Sequence, residues 1–504
     1  NSEIKMGKLK EKLKSISLKK WHLILIVFGI IFISLSAFHT NMWFDEAYSV
    51  GIARQTFADI WNFGGHDVHP VLYYWVLRIV YLIFGQSLIA YRILSVIPIA
   101  IMIILGYTHI RKDFGEKVGF IFSFIAVFLP EMTTYAVEIR MYSWAILAVT
   151  VLAIYAYRLS KEDNTKNWII FFISSLCSIY LHYYGLMAAG LINVLLLIHL
   201  IRNKRKKGLI FIISFGVVQA LAYLPWLMYL ASQMKTVSNG FWIGFTFPKT
   251  LMELISSQLA GYIRTDDYRE LSAVTVLALE LFAYLGYKAY KLSKEKEDLK
   301  PFKLAVGLYL AVIAAAIVIT VILKSSVLYY RYLFVVTGLY IFAISYILGK
   351  EKNKVAVVSI LSVIAILGIY NNYTLIRDNY SSTNAGPINY MEENIKDTDT
   401  VVYTDCGVGS VAANHCLESQ VYFYNKDNWG VQEAYKAFGP NYETVITDDF
   451  IKNCGDRVWV IDNAYGSAAK DVFGDTDYKV VSEEKFYTSF HNYNWTITLL
   501  EKQK

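Results

Sequence analysis

Charge is what this chain has least of. Asp, Glu, Lys and Arg make up 18% of its 504 residues, against 56% apolar residues. A soluble enzyme of this length needs a far more charged surface, so that class is excluded. Cysteine is scarcer still: four residues, with no spacing that resembles a zinc site. No internal repeat is visible, which weighs against a transporter built from duplicated helix bundles. The formal net charge is +7, yet no basic stripe interleaved with exposed aromatics exists, so a nucleic-acid partner is excluded as well.

The apolar residues are concentrated in long runs. Several approach or exceed the roughly 20 residues that cross about 30 Å of hydrocarbon. The chain therefore reads as an α-helical polytopic membrane protein. Residues 1–20 carry seven lysines, with Met6 a candidate natural start. The run 21–38 behind them lacks a small-residue cleavage site and reads as a retained first helix with a basic inner flank. Basic clusters punctuate the chain at 5–20, 111–117, 158–166, 202–207, 288–303 and 350–354. Cytoplasmic loops carry excess Lys and Arg. Placing all six clusters inside predicts about eleven spans, near 21–38, 88–110, 118–137, 141–158, 167–183, 184–201, 208–230, 270–290, 302–323, 330–349 and 354–372. The N-terminus is then inside and the C-terminus outside. The run 70–84 is short and carries Arg78, so it reads as a helix lying in the interface.

Near residue 379 the apolar runs shorten to strand length, at 400–404, 420–424, 443–447, 457–461, 479–482 and 495–500, with a helical stretch at 431–438. This predicts a small α/β domain outside the membrane over 379–504, joined to the span region 21–378 through a linker at 381–387. Cys406, Cys416 and Cys454 fall in it, and an exported compartment permits one disulfide, most simply Cys406 with Cys416.

Given this topology, the scarce charges converge on one face. The first outer loop, 39–87, holds Trp43-Phe44-Asp45-Glu46-Ala47 and then His66-Asp67-Val68-His69-Pro70. Charges this close to hydrocarbon are costly and mark functional candidates. Asp45 and Glu46 could cap an interfacial helix over 47–57, but one acid suffices for a cap. A desolvated carboxylate suits a general base that takes a proton from a nucleophile. His66, Asp67 and His69 carry metal-ligand chemistry, although a polar loop before a helix-initiating proline explains them as well. No metal or other cofactor is firmly implied, and His69 is read as an anion contact. Glu138, Arg140 and Tyr142 lie where the third span exits, and Arg331 begins a later one. Outer arginines are rare under the basic-loop rule and are well shaped for bidentate phosphate recognition. His182, Tyr183 and Asp266 complete the outer-face candidates for a substrate pocket.

On these residues the chain resembles the polyprenyl-phosphate-sugar-dependent glycosyltransferases of the GT-C fold. It is most similar to bacterial members of glycosyltransferase family 39, kin to the protein O-mannosyltransferases and the lipid A aminoarabinose transferases. The resemblance rests on Asp45-Glu46, on Asp67-Val68-His69-Pro70 and on Arg140-Met141-Tyr142, and covers roughly residues 20–370. It implies inverting transfer of a sugar from a polyprenyl-phosphate donor to a cell-envelope acceptor (glycan, lipid or protein) at the outer face of a bacterial cytoplasmic membrane. Asp45, with Glu46 beside it, is then the base. Arg140, Arg331 and His69 would hold the donor phosphate; His69 stands where the aminoarabinose enzymes have a cationic residue. Val71 replaces the second proline of the protein mannosyltransferases and their large β-domain is absent, so a protein acceptor is not implied. Two other classes are weighed against this reading: a transporter or flippase of lipid-linked saccharides, and a non-catalytic envelope scaffold.

Overall fold

Proline and glycine decide where the apolar runs of this chain become one helix or two. The computed structural model describes residues 17–261, 267–403, 406–416, 419–423, 434, 436–438, 448–463 and 468–503. Among these, eight helices are long and apolar enough to cross a membrane: Leu88–Phe114, Tyr142–Lys161, Tyr183–Arg202, Lys206–Ser238, Tyr268–Lys294, Lys300–Leu323, Tyr330–Lys350 and Lys354–Asn394. The other expected spans are helical but shorter. Leu18–Ser34 and Thr165–Leu181 have 17 residues each and Glu116–Phe128 has 13. The expected span at 118–137 is broken by Pro130. Leu129 is extended (ψ 123°), as a residue before proline prefers, and Pro130 opens a new helix, Pro130–Tyr135.

Helix Leu88–Phe114 and helix Glu116–Phe128 touch backbone to backbone. A Cβ on Gly106 would lie 2.8 Å from the Gly119 carbonyl oxygen, and one on Gly119 would lie 2.5 Å from that of Gly106. Small residues allow such approach between membrane helices. Across this contact Ser123 donates to the Ile103 carbonyl (2.6 Å) and pairs with His22 (2.7 Å), which brings the first helix into the same bundle.

Ahead of helix Leu72–Phe84, the first loop holds two helices where one was considered over 47–57. Phe44–Ala53 contains both acids in its first turn, and Phe57–His66 follows after a break. Thr56 starts the second helix by accepting from the Asp59 amide (3.1 Å). Helix Leu72–Phe84 buries Tyr73, Tyr74 and Leu77 while exposing Ile79, Leu82, Ile83 and Phe84, an asymmetry suited to a membrane interface.

The described residues of the C-terminal region form a five-stranded mixed sheet of order β2-β1-β3-β5-β4. β1 (Thr400–Tyr403) runs parallel to β2 (Gln420–Phe423) and to β3 (Arg457–Asn463). β5 (Tyr493–Lys502) runs antiparallel to β3 and to β4 (Tyr478–Thr488). Helix Cys406–His415 connects β1 to the β2 edge, as parallel pairing requires. The expected strand at 443–447 lies outside the described residues, as does most of 431–438, of which Lys436–Phe438 forms a 3₁₀ turn. The segment read as a linker at 381–387 is helix instead. Ser382–Asn394 continues from Lys354–Asn379 after a break at Tyr380 and Ser381, and the Asn384 side chain donates to the Asp378 carbonyl (2.6 Å). Cys416 and Cys454 are buried free thiols; the Cys406 side chain lies outside the description.

This sheet domain rests on the first loop. Asn414 donates to the Ala47 carbonyl (2.9 Å), and Arg54 reaches Asn414 (2.6 Å), Gln86 (2.8 Å) and the Phe438 carbonyl. Gly51 permits the approach, since a Cβ there would lie 2.7 Å from the Ala437 carbonyl oxygen. Helix Phe44–Ala53 is thereby packed between the helical bundle and the sheet domain.

Candidate active site

Successive helical residues project about 100° apart, so adjacent acids in one turn must face different surroundings. Asp45 and Glu46 do. The Glu46 side chain is 2% exposed and the Asp45 side chain 22%. Glu46 is held by Arg92, whose Nη1 lies 2.5 Å from Oε1 and whose Nη2 lies 3.2 Å from Oε2, and it also accepts the Ile139 amide (3.0 Å). Arg92 further donates to the carbonyls of Asn41 and Val137. This buried pair fixes helix Phe44–Ala53 against the loop that carries Arg140.

Asp45 opens toward the other side. Arg331 Nη1 donates to its Oδ2 (2.8 Å), and Arg140 Nε lies 3.9 Å from the same oxygen. Arg140 also donates to Tyr74 Oη (3.1 Å) and to the Asp45 carbonyl (3.3 Å). Burial opposes the charge on Arg140, but Tyr74 and Asp45 outweigh it and hold the guanidinium above its ordinary range. Neither Arg140 Nε nor Arg331 Nε makes a hydrogen bond among the described residues. Each guanidinium therefore keeps an unused, buried donor.

Glu138 lies in the same loop without pairing with Arg140. It is buried, and its Oε1 makes no hydrogen bond among the described residues. Burial raises its carboxyl to about 7, against the opposing pull of Arg331. Arg140 turns instead to Asp45 and Tyr74.

His69 and His182 meet from distant parts of the chain. Their ring centroids are 5.6 Å apart, and Tyr332 packs on both, at 6.2 Å from His69 and 4.9 Å from His182. Tyr142 closes the cluster 5.6 Å from His182. His69 Nδ1 lies 3.4 Å from Asp67 Oδ2. Burial by itself raises Asp67, but its hydrogen bond with His69 and the charge on Arg140 outweigh that and hold the carboxyl below its usual range. Burial, with His69 and Arg140, pushes His182 well below the ordinary imidazole range, so the ring is neutral. Its Nδ1 accepts the Tyr184 amide (3.1 Å).

Two candidates lie elsewhere. His66 is exposed and directs Nδ1 to the Asn62 carbonyl (2.8 Å), away from His69. Tyr183 donates to Gln233 and accepts from Trp226 (3.1 Å), bracing helix Tyr183–Arg202 against Lys206–Ser238. Asp266 falls outside the described residues. His66, Asp67 and His69 thus do not converge, and no group of three metal-ligating side chains occurs among the described residues. Conversely, Arg92, Tyr74 and Tyr332 escape the sequence reading. Arg92 had a visible signal, since it is the one Asp, Glu, Lys or Arg in the apolar run 88–110.

The site sits at one end of the bundle. Tyr142–Lys161, Tyr183–Arg202 and Tyr330–Lys350 all begin beside it and end on a basic residue at the far side. Such a fold and site define a multi-pass membrane protein of the GT-C type. The family described as dolichyl-phosphate-mannose-protein mannosyltransferase matches residues 68–229. That segment includes His69, Arg140 and His182 but neither Asp45 nor Arg331. The chain is similar in structure to ArnT from Cupriavidus metallidurans bound to undecaprenyl phosphate. The TM-score is 0.59 at 10% identity, covering 96% of this chain and 98% of that one. For ArnT from the same organism in the apo state the TM-score is 0.50 at 12% identity, covering 95% and 98%. The shared architecture is the GT-C fold. No curated protein matches the chain in a search by sequence.

Proposed function

We propose that this chain is a membrane glycosyltransferase that moves a sugar from a polyprenyl-phosphate carrier to an acceptor hydroxyl or amine at the outer membrane face. The observation that carries this reading is the half-buried Asp45 carboxylate held between Arg331 and Arg140. A base and an anion site stand within one reacting-group distance of each other.

The division of labour follows from charge. Asp45 accepts the acceptor's proton as its oxygen or nitrogen bonds to the anomeric carbon. The bond from that carbon to the phosphate oxygen breaks on the opposite face, which inverts the centre. Negative charge then develops on the departing polyprenyl phosphate, where the free donors of Arg140 and Arg331 meet it. His69, packed with His182 and Tyr332 at the same site, contacts the phosphate as well. Glu46 has no part in the proton transfer; it and Arg92 position the helix that presents Asp45. The family match over residues 68–229 and the fold shared with ArnT, whose structure holds undecaprenyl phosphate, support the lipid-linked donor. The basic ends of the helices support placing the site on the outer face of a bacterial cytoplasmic membrane.

The test is transfer of labelled sugar from polyprenyl-phosphate donors to envelope glycans, lipids and peptides by the purified protein in lipid vesicles. Product from wild type and none from Asp45→Asn is expected. Equal turnover by the two proteins would remove Asp45 as the base.

A further inference from the structure

The sheet domain reaches the Asp45 site at the turn between β4 and β5. Between β4 and β5 the chain reverses at His491 and Asn492, both in the left-handed region (φ 58° and 53°). Non-glycine residues adopt that conformation at a cost, and surrounding contacts must hold it. Within the hairpin, Tyr487 donates to Asn492 Oδ1 (2.9 Å), and further contacts come from the first loop. The His491 ring stacks on Trp43, with centroids 4.3 Å apart and planes 5° from parallel. Trp43 in turn lies under the Arg331 guanidinium, whose Cζ is 4.6 Å from its ring centroid. Arg331 holds Asp45 at 2.8 Å. Beside the stack, the Phe44 amide donates to Tyr493 Oη (3.1 Å). That amide belongs to the first turn of helix Phe44–Ala53, where the helix itself offers no acceptor and Trp43 supplies no side-chain cap.

We propose that His491 is a positioning residue of the transfer reaction: through Trp43 it sets the Arg331 guanidinium against Asp45, so that the sheet domain completes the active site. This rests on the glycosyltransferase reading of Asp45. A flat ring on the outer face of Trp43 leaves that indole no room to rotate, and the cation on the other face keeps its register with the carboxylate. A neutral ring suits the place. Burial, then Arg331 and Arg92, lower the imidazole to about 3, so it adds no positive charge to a site that already holds two arginines. Proton transfer by His491 plays no part, and an aromatic ring without nitrogen would serve.

The experiment compares full-length wild type, His491→Ala and His491→Phe in lipid vesicles. Two readouts are taken: turnover at saturating polyprenyl-phosphate sugar, and backbone hydrogen exchange. His491→Ala is expected to lose at least tenfold in kcat with faster exchange in the peptides of residues 43–49 and 329–334, while β1 and β3 exchange as in wild type. His491→Phe is expected to restore both readouts to within about twofold. Wild-type turnover and exchange in His491→Ala would overturn the proposal. A His491→Phe protein as impaired as His491→Ala would overturn it too. If wild type transfers no sugar, the glycosyltransferase reading fails. The exchange data then still decide whether His491 orders the Trp43–Arg331 stack.

Discussion

Arg92 closes on Glu46 with Nη1 2.5 Å from Oε1, both side chains almost wholly buried, and so leaves Asp45 as the only acid of the pair that faces the open side of the site. The two carboxylates are neighbours in sequence and have separate tasks. Removing one partner of a buried pair strands the other charge and costs roughly 3–5 kcal/mol.

Glu46→Gln and Arg92→Met should therefore each lower the thermal midpoint of the detergent-purified protein markedly. The double variant should recover part of the loss, because no lone buried charge remains. Thermal unfolding of the three variants checks this. Additive losses in the double variant would show that the two side chains do not form the pair.

Asp45→Asn should keep the fold and lose transfer. A positioned general base contributes on the order of 10²–10⁴-fold, so kcat should fall by at least the lower figure with an unchanged thermal midpoint. Loss of folding together with activity would assign Asp45 a structural task through Arg331.

Arg331→Lys and Arg140→Lys keep the charge but lose the forked donor geometry. Hydrogen bonds to charged groups contribute about 1.5–3 kcal/mol, so each variant should weaken use of the lipid donor by roughly tenfold or more. Steady-state kinetics with a varied donor, at fixed acceptor, would show whether the loss falls on the donor. A loss confined to acceptor KM would place the phosphate elsewhere.

Burial lifts the Glu138 carboxyl to about 7, so the folded protein holds that proton more tightly than the unfolded chain. The resulting stabilisation is complete below the ordinary glutamate range near 4.5 and is lost as pH rises through about 7. Wild type should therefore lose thermal stability relative to Glu138→Gln between these limits. Parallel midpoints for the two proteins across pH 5–8 would contradict the burial of an unpaired carboxyl.

Much of the fold is legible because its signals are local. Apolar run length places the helices, and shortened runs after residue 379 place the five described strands within a few residues of where they lie. Local signals also mislead. Pro130 divides a run that hydropathy counts as one span, and Ser382–Asn394 forms a helix although its Ser, Asn, Gly and Pro residues read as a linker. At the site, sequence adjacency suggests His66 with His69. Helical and loop geometry direct these side chains to different neighbours.

By itself the sequence determined the membrane helices, the strand content of the C-terminal domain and the loops that hold the scarce charges, since hydrophobic length and turn chemistry act within a few residues. Tertiary structure decided the chemistry of Asp45. Arg331 is 286 positions away, Arg92 rises from inside an apolar run to take Glu46, and the His491 turn closes over Trp43 from the far end of the chain. Such pairings depend on how distant segments pack around a shared buried charge, which no local pattern encodes.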